Sequence, residues 1–250
     1  MTYCCGVLVK EGVAIVADTR TNAGVDNIST FRKLSAWENP GEKVWALASA
    51  GNLGVSQAVR AMLEDGFDDP IAGENATLAE ARTMLHAAEI VGRAVLRARD
   101  IYEEPLKKDG VPFDVSFLLA GQVKGRRLRL FRIYAAGNFI ECTPDTPYMQ
   151  IGEHKYGKPI FDRAVSFDTP VLDALKIGLL SMDSTMRSNL AVGAPLDLIV
   201  IRRDACRIDL RKRIDATDPY FADLRERWSR ALRAAHAAIP APPYSGVEPE

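Results

Sequence analysis

Histidine is scarce in this sequence. Only His86, His154 and His236 occur among 250 residues, so a Ser-His-Asp site is poorly supplied. Cysteine is nearly as rare: Cys4, Cys5, Cys142 and Cys206 show no C-x-x-C spacing, and an adjacent pair suits neither a zinc knuckle nor a disulfide framework. Buried free thiols are the expectation, with no metal site and no cofactor. No eighteen apolar residues run together, which excludes a membrane-spanning helix. The first ten residues have no basic n-region and their apolar run stops at Lys10-Glu11, so no secretory signal is expected and the cytoplasm is the default compartment. An excess of either charge is also lacking. Thirty-two basic residues against 33 acidic ones leave a net charge of -1, which supplies no global field toward nucleic acid or an anionic membrane. The basic stretches "KGRRLRLFR" and "IRRDACRIDLRKR" alternate with apolar residues at strand period and read as solvated faces of half-buried strands. No G-x-G-x-x-G or Walker sequence follows a strand, so nucleotide binding has no support.

What is present is apolar residue in quantity. The hydrophobic set makes up 47% of the chain, enough for a sizeable core. A single domain over 1–237 is expected, followed by a proline-rich tail over 238–250. "YCCGVLV", Lys10-Glu11-Gly12 and "VAIVAD" predict a β-hairpin at the N-terminus. A long polar loop, "TRTNAGVDNISTFRKLSAWENPGE", follows, and its length is of the kind that carries function. "KVWALASAGN" predicts the next strand, and Leu53 to Leu63 a helix. Residues 77 to 104 have the clearest helical period, with Thr77 and Glu80 forming a capping box at the start. Strands are expected at about 113 to 122, 126 to 134, 138 to 142 and 148 to 152. A second long helix opens behind Pro170, two further strands follow, and a helix runs from Pro219 to about Ala237. Hairpin-linked strands between helices point to two stacked antiparallel sheets with helices outside, and away from a doubly wound parallel fold.

The chain begins "MTYCCG", with a nucleophile type at position 2. Loss of one methionine would give Thr2 both a free hydroxyl and a free α-amine. Such an amine titrates near ~7.7–8 and can act as the base for the hydroxyl of its own residue, with no histidine required. A strand starting at this nucleophile, a second ending in Asp18, a lysine fifteen residues on at Lys33, and "ASAGN" closing the third form one pattern. Read locally, Asp18 caps a turn and Lys33 is a solvated loop residue. The pattern resembles the proteasome β-subunit family of N-terminal-nucleophile hydrolases. More narrowly, "DTRTNAGVDNISTFRK", "QIGEHKYGKPI" and "SMDSTMRSNLAVG" are similar to the Anbu family of bacterial proteasome-related peptidases, over residues 2 to about 237.

The resemblance implies an α+β fold, a four-layer αββα sandwich, in which Thr2 is the mature N-terminal nucleophile. It also implies that Asp18 and Lys33 complete the core site and that Gly51 supplies the oxyanion donor. Asp183 and Ser188 match an aspartate and a serine that follow the long helix in relatives. Thr21 and Ser49 match positions that pair with the substrate backbone and line the first specificity pocket, and small residues there would suit a roomy one. The implied partners are identical subunits in a ring or open spiral, and a peptide or protein substrate. Two other functions fit the same fold: hydrolysis of a small amide or isopeptide, and a binding assembly with vestigial chemistry. Where proteasome subunits carry Gly-Ser-Gly, this chain has Gly152-Glu153-His154. Glu153 either holds the terminal ammonium in its protonated form or complements the dipole of a helix starting near Tyr156.

Overall fold

The computed structural model describes residues 1–22, 28–69, 71, 73 and 75–244. The chain divides into two compact units, Met1–Ala216 and Thr217–Glu250. In the first, strands β1 (Tyr3–Val9) and β2 (Gly12–Asp18) form the N-terminal hairpin, paired from Cys4↔Ala17 to Val9↔Gly12. Every residue of both strands is buried. That explains their uninterrupted apolar sequence, since a strand covered on both faces loses the alternation of a half-exposed one.

The remaining strands of this unit are β3 (Arg20–Asn22), β4 (Ile28–Thr30), β5 (Leu34–Asn39), β6 (Lys43–Gly51), β7 (Phe67–Asp68), β8 (Asn75–Ala76) and β9 (Val115–Val123). They continue with β10 (Arg129–Ile133), β11 (Phe139–Glu141), β12 (Tyr148–Gly152), β13 (Leu196–Arg202) and β14 (Leu210–Ile214). The helices are α1 (Leu53–Asp65), α2 (Met84–Lys108), α3 (Lys158–Ala164) and α4 (Val171–Ser188). Two five-stranded sheets result, in the orders β12-β1-β2-β13-β14 and β11-β10-β9-β6-β5, and every pairing within them is antiparallel.

One core lies between the sheets, built from Cys4, Val13, Ile15 and Ala17 on one side and Val44, Ala46, Ala48, Leu118 and Leu130 on the other. A second lies under α1 and α2, where Val55, Val59, Met84, Val91 and Val95 meet Leu47, Phe117 and Phe131 of the second sheet. On the outer face of the first sheet α4 crosses β1 and β2. Its Gly178 backs onto Val16 and Cys5. The layers are therefore helix, sheet, sheet, helix, the expected sandwich. Each fully buried leucine, isoleucine or phenylalanine in such cores contributes about 1.5–3 kcal/mol.

The two N-terminal thiols point to opposite faces, as strand period requires. Cys4 belongs to the inter-sheet core, while Cys5 Sγ lies 4.0 Å from the Gly178 carbonyl of α4. All four cysteines are free and buried. Helix α4 has no capping side chain of its own at Pro170. Glu11, from the β1–β2 turn, accepts from Val171 N at 3.0 Å instead and supplies both the missing acceptor and a charge at the helix N-terminus.

Two expectations about local structure are corrected. The capping box of Thr77 and Glu80 closes only a 3₁₀ turn, Leu78–Glu80. The long helix starts at Met84, where the Thr83 hydroxyl accepts from His86 N at 3.0 Å, and it continues through Pro105 to Lys108. The polar stretch after Asp18 is not one loop, because it contains the β3–β4 pair and β5, an edge strand whose exposed positions are polar. Within that stretch residues 23–27 lie outside the described residues. Glu153 stands immediately ahead of a helical turn in which Lys158 N donates to the His154 carbonyl at 2.9 Å and which leads into α3.

In the second unit α5 (Pro219–Ala238) is capped by Asp218, whose side chain accepts from Phe221 N at 2.9 Å. Of the proline-rich segment beyond it, residues 245–250 lie outside the described residues.

Gly152 tests the N-terminal geometry. It sits at φ +78°, and a Cβ there would overlap the Thr2 carbonyl. Gly152→Ala is expected to lower stability by more than about 1 kcal/mol, read by thermal or urea denaturation, because both the conformation and the contact disfavour a side chain.

Candidate active site

Thr2 lies at the start of β1 and is buried, while Met1 ahead of it is exposed. Its carbonyl accepts from Glu153 N at 2.7 Å, which extends the β1–β12 ladder by one step past Tyr3↔Gly152. The next amide, Tyr3 N, donates to Asp18 Oδ1 at 3.1 Å. Lys33 Nζ donates to that same oxygen at 2.8 Å. One carboxylate oxygen thus links the backbone immediately after Thr2 to an ammonium. Asp18 is fully buried and the Lys33 side chain only 4% exposed, so neither is the solvated surface group that its local sequence allows.

The second Asp18 oxygen accepts from Gly193 N at 3.3 Å, in the loop after α4. Burial pushes the Asp18 carboxyl above its ordinary value, opposed by the charge and hydrogen bond of Lys33 and by the two backbone donors. Lys33 also donates to the Arg20 carbonyl at 2.6 Å. The loop after α4 is tied back further by Arg20 Nη1, which donates to the Leu190 carbonyl at 2.9 Å.

Gly51, the last residue of β6, lines an opening shared with Thr2, Asp114, Gly152, Glu153 and His154. It has φ +104°, and a Cβ would strike the Asp114 carbonyl. Only glycine meets both demands. Asn52 N donates to Asp114 O at 2.7 Å across the ladder to β9. By the alternation of an antiparallel strand, Gly51 N–H therefore points to the other edge. There β5 pairs with β6 only as far as Ala48, with Ser49 N on the Lys33 carbonyl. Gly51 N–H is left directed beyond the end of β5, beside the Thr2 opening.

Beside this opening Glu153 Oε2 accepts from Asn189 Nδ2 at 3.2 Å. The amide orientation of Asn189 follows from its other bond, since its Oδ1 accepts from Ala191 N at 3.0 Å. The remaining expected residues are placed differently. Thr21, in β3, has a buried hydroxyl with no hydrogen-bond partner among the described residues. Ser49 and Lys33 line a cleft next to α1 whose free volume is about 10 Å³, room for roughly one water and not a roomy pocket. Asp183 is buried in α4 and accepts from Arg187 Nε at 3.1 Å. Ser188 is exposed at the C-terminal end of α4, and among the described residues no hydrogen bond joins it to Thr2, Asp18 or Lys33.

A polar chain under β1 goes unnoticed in the sequence. Gln150 Nε2 donates to the Tyr3 hydroxyl, which lies 2.6 Å from Ser181 Oγ, and Ser181 donates to the Gly157 carbonyl at 3.1 Å. Donation in one direction satisfies all three groups, with Tyr3 giving its proton to Ser181. Burial holds the Tyr3 phenol well above its ordinary value, so it remains a donor. The thiols are likewise held protonated: burial raises Cys5 to about 12, and burial followed by the nearby Asp18 charge raises Cys4 well above its usual value. Neither is an alternative nucleophile near neutrality. Asn189 and Gly193 fall inside "SMDSTMRSNLAVG", and that motif is the signal that could have found them.

No protein-family model matches the chain, and neither does any curated protein. Solved structures do. A Gly-1 mutant of Anbu from Hyphomicrobium sp. strain MC1 is 47% identical, with 96% of this chain and 99% of that one aligned at a TM-score of 0.86. The chain belongs to the Anbu family. Anbu from Yersinia bercovieri, described as an ancestral β-subunit, is 42% identical over 97% of this chain and 99% of its own, with a TM-score of 0.88. The Anbu complex of Pseudomonas aeruginosa, solved as a helical assembly, is 40% identical over 97% and 98%, with a TM-score of 0.89. Anbu is a proteasome-related family, and the four-layer sandwich found here is its fold.

The Asp18–Lys33 pair gives a stability test. Asp18→Asn leaves the Lys33 ammonium buried without its counter-charge, which is expected to cost about 3–5 kcal/mol. The double variant Asp18→Asn with Lys33→Met removes both charges and is expected to recover part of that loss, read from denaturation midpoints of the single and double variants. Equal losses in the two would show that the pair is not coupled.

Proposed function

We propose that the protein is a self-assembling threonine peptidase whose nucleophile is Thr2, exposed by removal of Met1. The observation that carries this reading is the single Asp18 oxygen shared by Lys33 and Tyr3 N, at 2.8 and 3.1 Å. It holds a positive charge beside the first residues of the mature chain. Such a charge favours the neutral α-amine and the developing alkoxide. The amine takes the hydroxyl proton, Oγ attacks the peptide carbonyl, and Gly51 N–H receives the oxyanion. The amine then returns its proton to the leaving nitrogen. Water, activated by the same amine, clears the acyl-threonine ester.

Thr21, whose hydroxyl has no partner among the described residues, pairs with the substrate backbone, and Ser49 lines the first specificity cleft. Asp183 acts as a positioning residue through the loop after α4. Ser188 takes no step in this scheme. The site requires no metal or cofactor. The substrate is a peptide or protein, and the working compartment is the cytoplasm. Among the described residues no helix is long and apolar enough to cross a membrane. Self-assembly follows the helical assembly of the Pseudomonas aeruginosa relative.

Glu153 tunes the base. Its carboxylate, held among the described residues by the neutral amide of Asn189, favours the protonated amine and opposes the effect of Lys33. Replacing it removes that effect, so the amine deprotonates at lower pH.

Mass spectrometry of protein from its native host should show Met1 absent, and retained Met1 would sink the mechanism because the base would be missing. An electrophile specific for N-terminal threonine should label Thr2, and Thr2→Ala should abolish both labelling and peptide turnover while light scattering still reports a mass several times that of one chain. A variant that turns over peptide without the threonine hydroxyl would overturn the reading. In Glu153→Ser the acid limb of the pH–rate profile should move to lower pH. An unchanged limb places that carboxylate outside the reacting groups.

A further inference from the structure

The cleft that holds Ser49 has a charge pattern that the mechanism does not use. It lies on the helix side of the second sheet, where the first turns of α1 meet β5 and β6. Arg32 and Arg60 line it together with Lys33, Ser49 and Gln57, and among the described residues no acidic one does. Phe117 gives it an apolar wall. Ser49 and Gly51 are two apart on β6 and so face the same side of the strand, which runs from this cleft to the Thr2 opening.

Lys33 is already committed to Asp18. The two arginines are not committed in the same way. Arg32 forms no ion pair among the described residues and is exposed. Arg60 Nε is buried with no hydrogen-bond partner among the described residues. Glu64, one turn along α1, lies 3.8 Å from that nitrogen, with both side chains about 40% exposed, at 37% and 41%. That separation is too long for a hydrogen bond, and a solvated pair of this kind is weak. A guanidinium nitrogen shielded from water and left without an acceptor is unfavourable, and a carboxylate reaching into the cleft would relieve it.

We infer that this cleft receives the side chain of the substrate residue whose carbonyl Thr2 attacks, and that Arg32 and Arg60 select a carboxylate there. The inference rests on the peptidase reading above for the identity of the reacting carbonyl. Glutamate fits the lining better than aspartate, because its extra methylene packs against Phe117 while the carboxylate reaches Arg60. The free volume of about 10 Å³ requires the side chains of Arg32, exposed ahead of β5, and Arg60, partly exposed on α1, to swing aside to admit the ligand. A basic substrate side chain meets like charge, and a large apolar one leaves both guanidinium groups facing hydrocarbon.

The test separates this inference from the mechanism. Binding is measured by calorimetry on the assembled Thr2→Ala protein with product-type peptides, acetyl-Ala-Ala-Glu, acetyl-Ala-Ala-Leu and acetyl-Ala-Ala-Lys, which need no turnover. The Glu peptide is expected to bind at least about tenfold more tightly than the other two. Raising the salt from about 50 to 500 mM should shrink that preference. Arg60→Gln should bring the Glu and Leu peptides to comparable affinity, Arg60→Lys should keep part of the preference, and Arg60→Glu should favour the Lys peptide. If Arg60 variants fail to assemble, Arg32→Gln serves as the second variant and should weaken the Glu peptide selectively. Equal affinity for the three peptides, a preference for Leu or Lys, or a Glu preference untouched by both arginine substitutions overturns the inference even if Thr2 is labelled as above. Absence of Thr2 labelling with a retained, arginine-dependent Glu preference instead overturns the peptidase reading and leaves the carboxylate-selecting cleft standing.

Discussion

The buried ion pair between Asp18 and Lys33 is the constraint around which the N-terminal end of the sandwich is organised. Asp18 closes β2 in one sheet, and Lys33 stands just ahead of β5 in the other, so the pair bridges the two sheets at the end where Thr2 lies. Taking two charges out of water costs several kcal/mol per ion, and only good geometry with further hydrogen bonds repays it. Here the further bonds come from Tyr3 N, Gly193 N and the Arg20 carbonyl. Each belongs to a different segment of chain, and each must be in place for the charges to be satisfied. The pair is therefore poor evidence of extra stability and strong evidence of positional control, because β1, the segment after β2 and the loop after α4 all converge on two side chains.

Around this pair the site is shaped as much by missing side chains as by present ones. Gly51 and Gly152 approach the backbone of Asp114 and Thr2 so closely that no Cβ fits at either place, and both have positive φ. They also border the Thr2 opening. The close approach of Gly152 lets the β1–β12 ladder continue to the carbonyl of Thr2, while the turn of chain at Gly51 ends β6 and leaves its amide free of β9. Conformations that any larger residue would resist are thus concentrated around the Thr2 opening, the kind of strain that clusters at functional sites.

The sequence made the sandwich legible because its strands and helices differ in period. The doubly buried hairpin reads as an unbroken apolar run, and the helices of α2 and α4 as steps of three and four. Beyond that, the family resemblance set Thr2, Asp18, Lys33 and Gly51 in one pattern, while the bare spacing of the first three was a weak signal. What stayed hidden follows from the same physics. The edge strand β5 is short and polar on its outer positions, so it reads as loop. The capping box at Thr77 is locally correct, but it competes with the Thr83 cap six residues on, and the longer helix forms from the later one. The Gln150–Tyr3–Ser181 chain joins residues up to 178 positions apart, and no local pattern signals that. The arginines of the cleft are equally silent in sequence, since Arg60 looks like an ordinary solvated position of an amphipathic helix.

Placing Glu153 where proteasome subunits carry a serine exchanges a neutral hydroxyl for a negative charge at the opening it shares with Thr2. In the proposed mechanism the terminal amine then feels two opposed fields. Lys33 lowers its pKa and Glu153 raises it, and Asn189 limits the second effect by fixing the carboxylate without neutralising it. A base poised between opposed charges is sensitive to anything that moves either of them. The loop after α4 carries Asn189 at one end and Gly193, the donor to Asp18, at the other. It therefore touches the partners of both charges at once. A displacement of that single loop would loosen Glu153 from Asn189 and Asp18 from Gly193 together, so the protonation of the amine and the seating of the ion pair are coupled through five residues of chain.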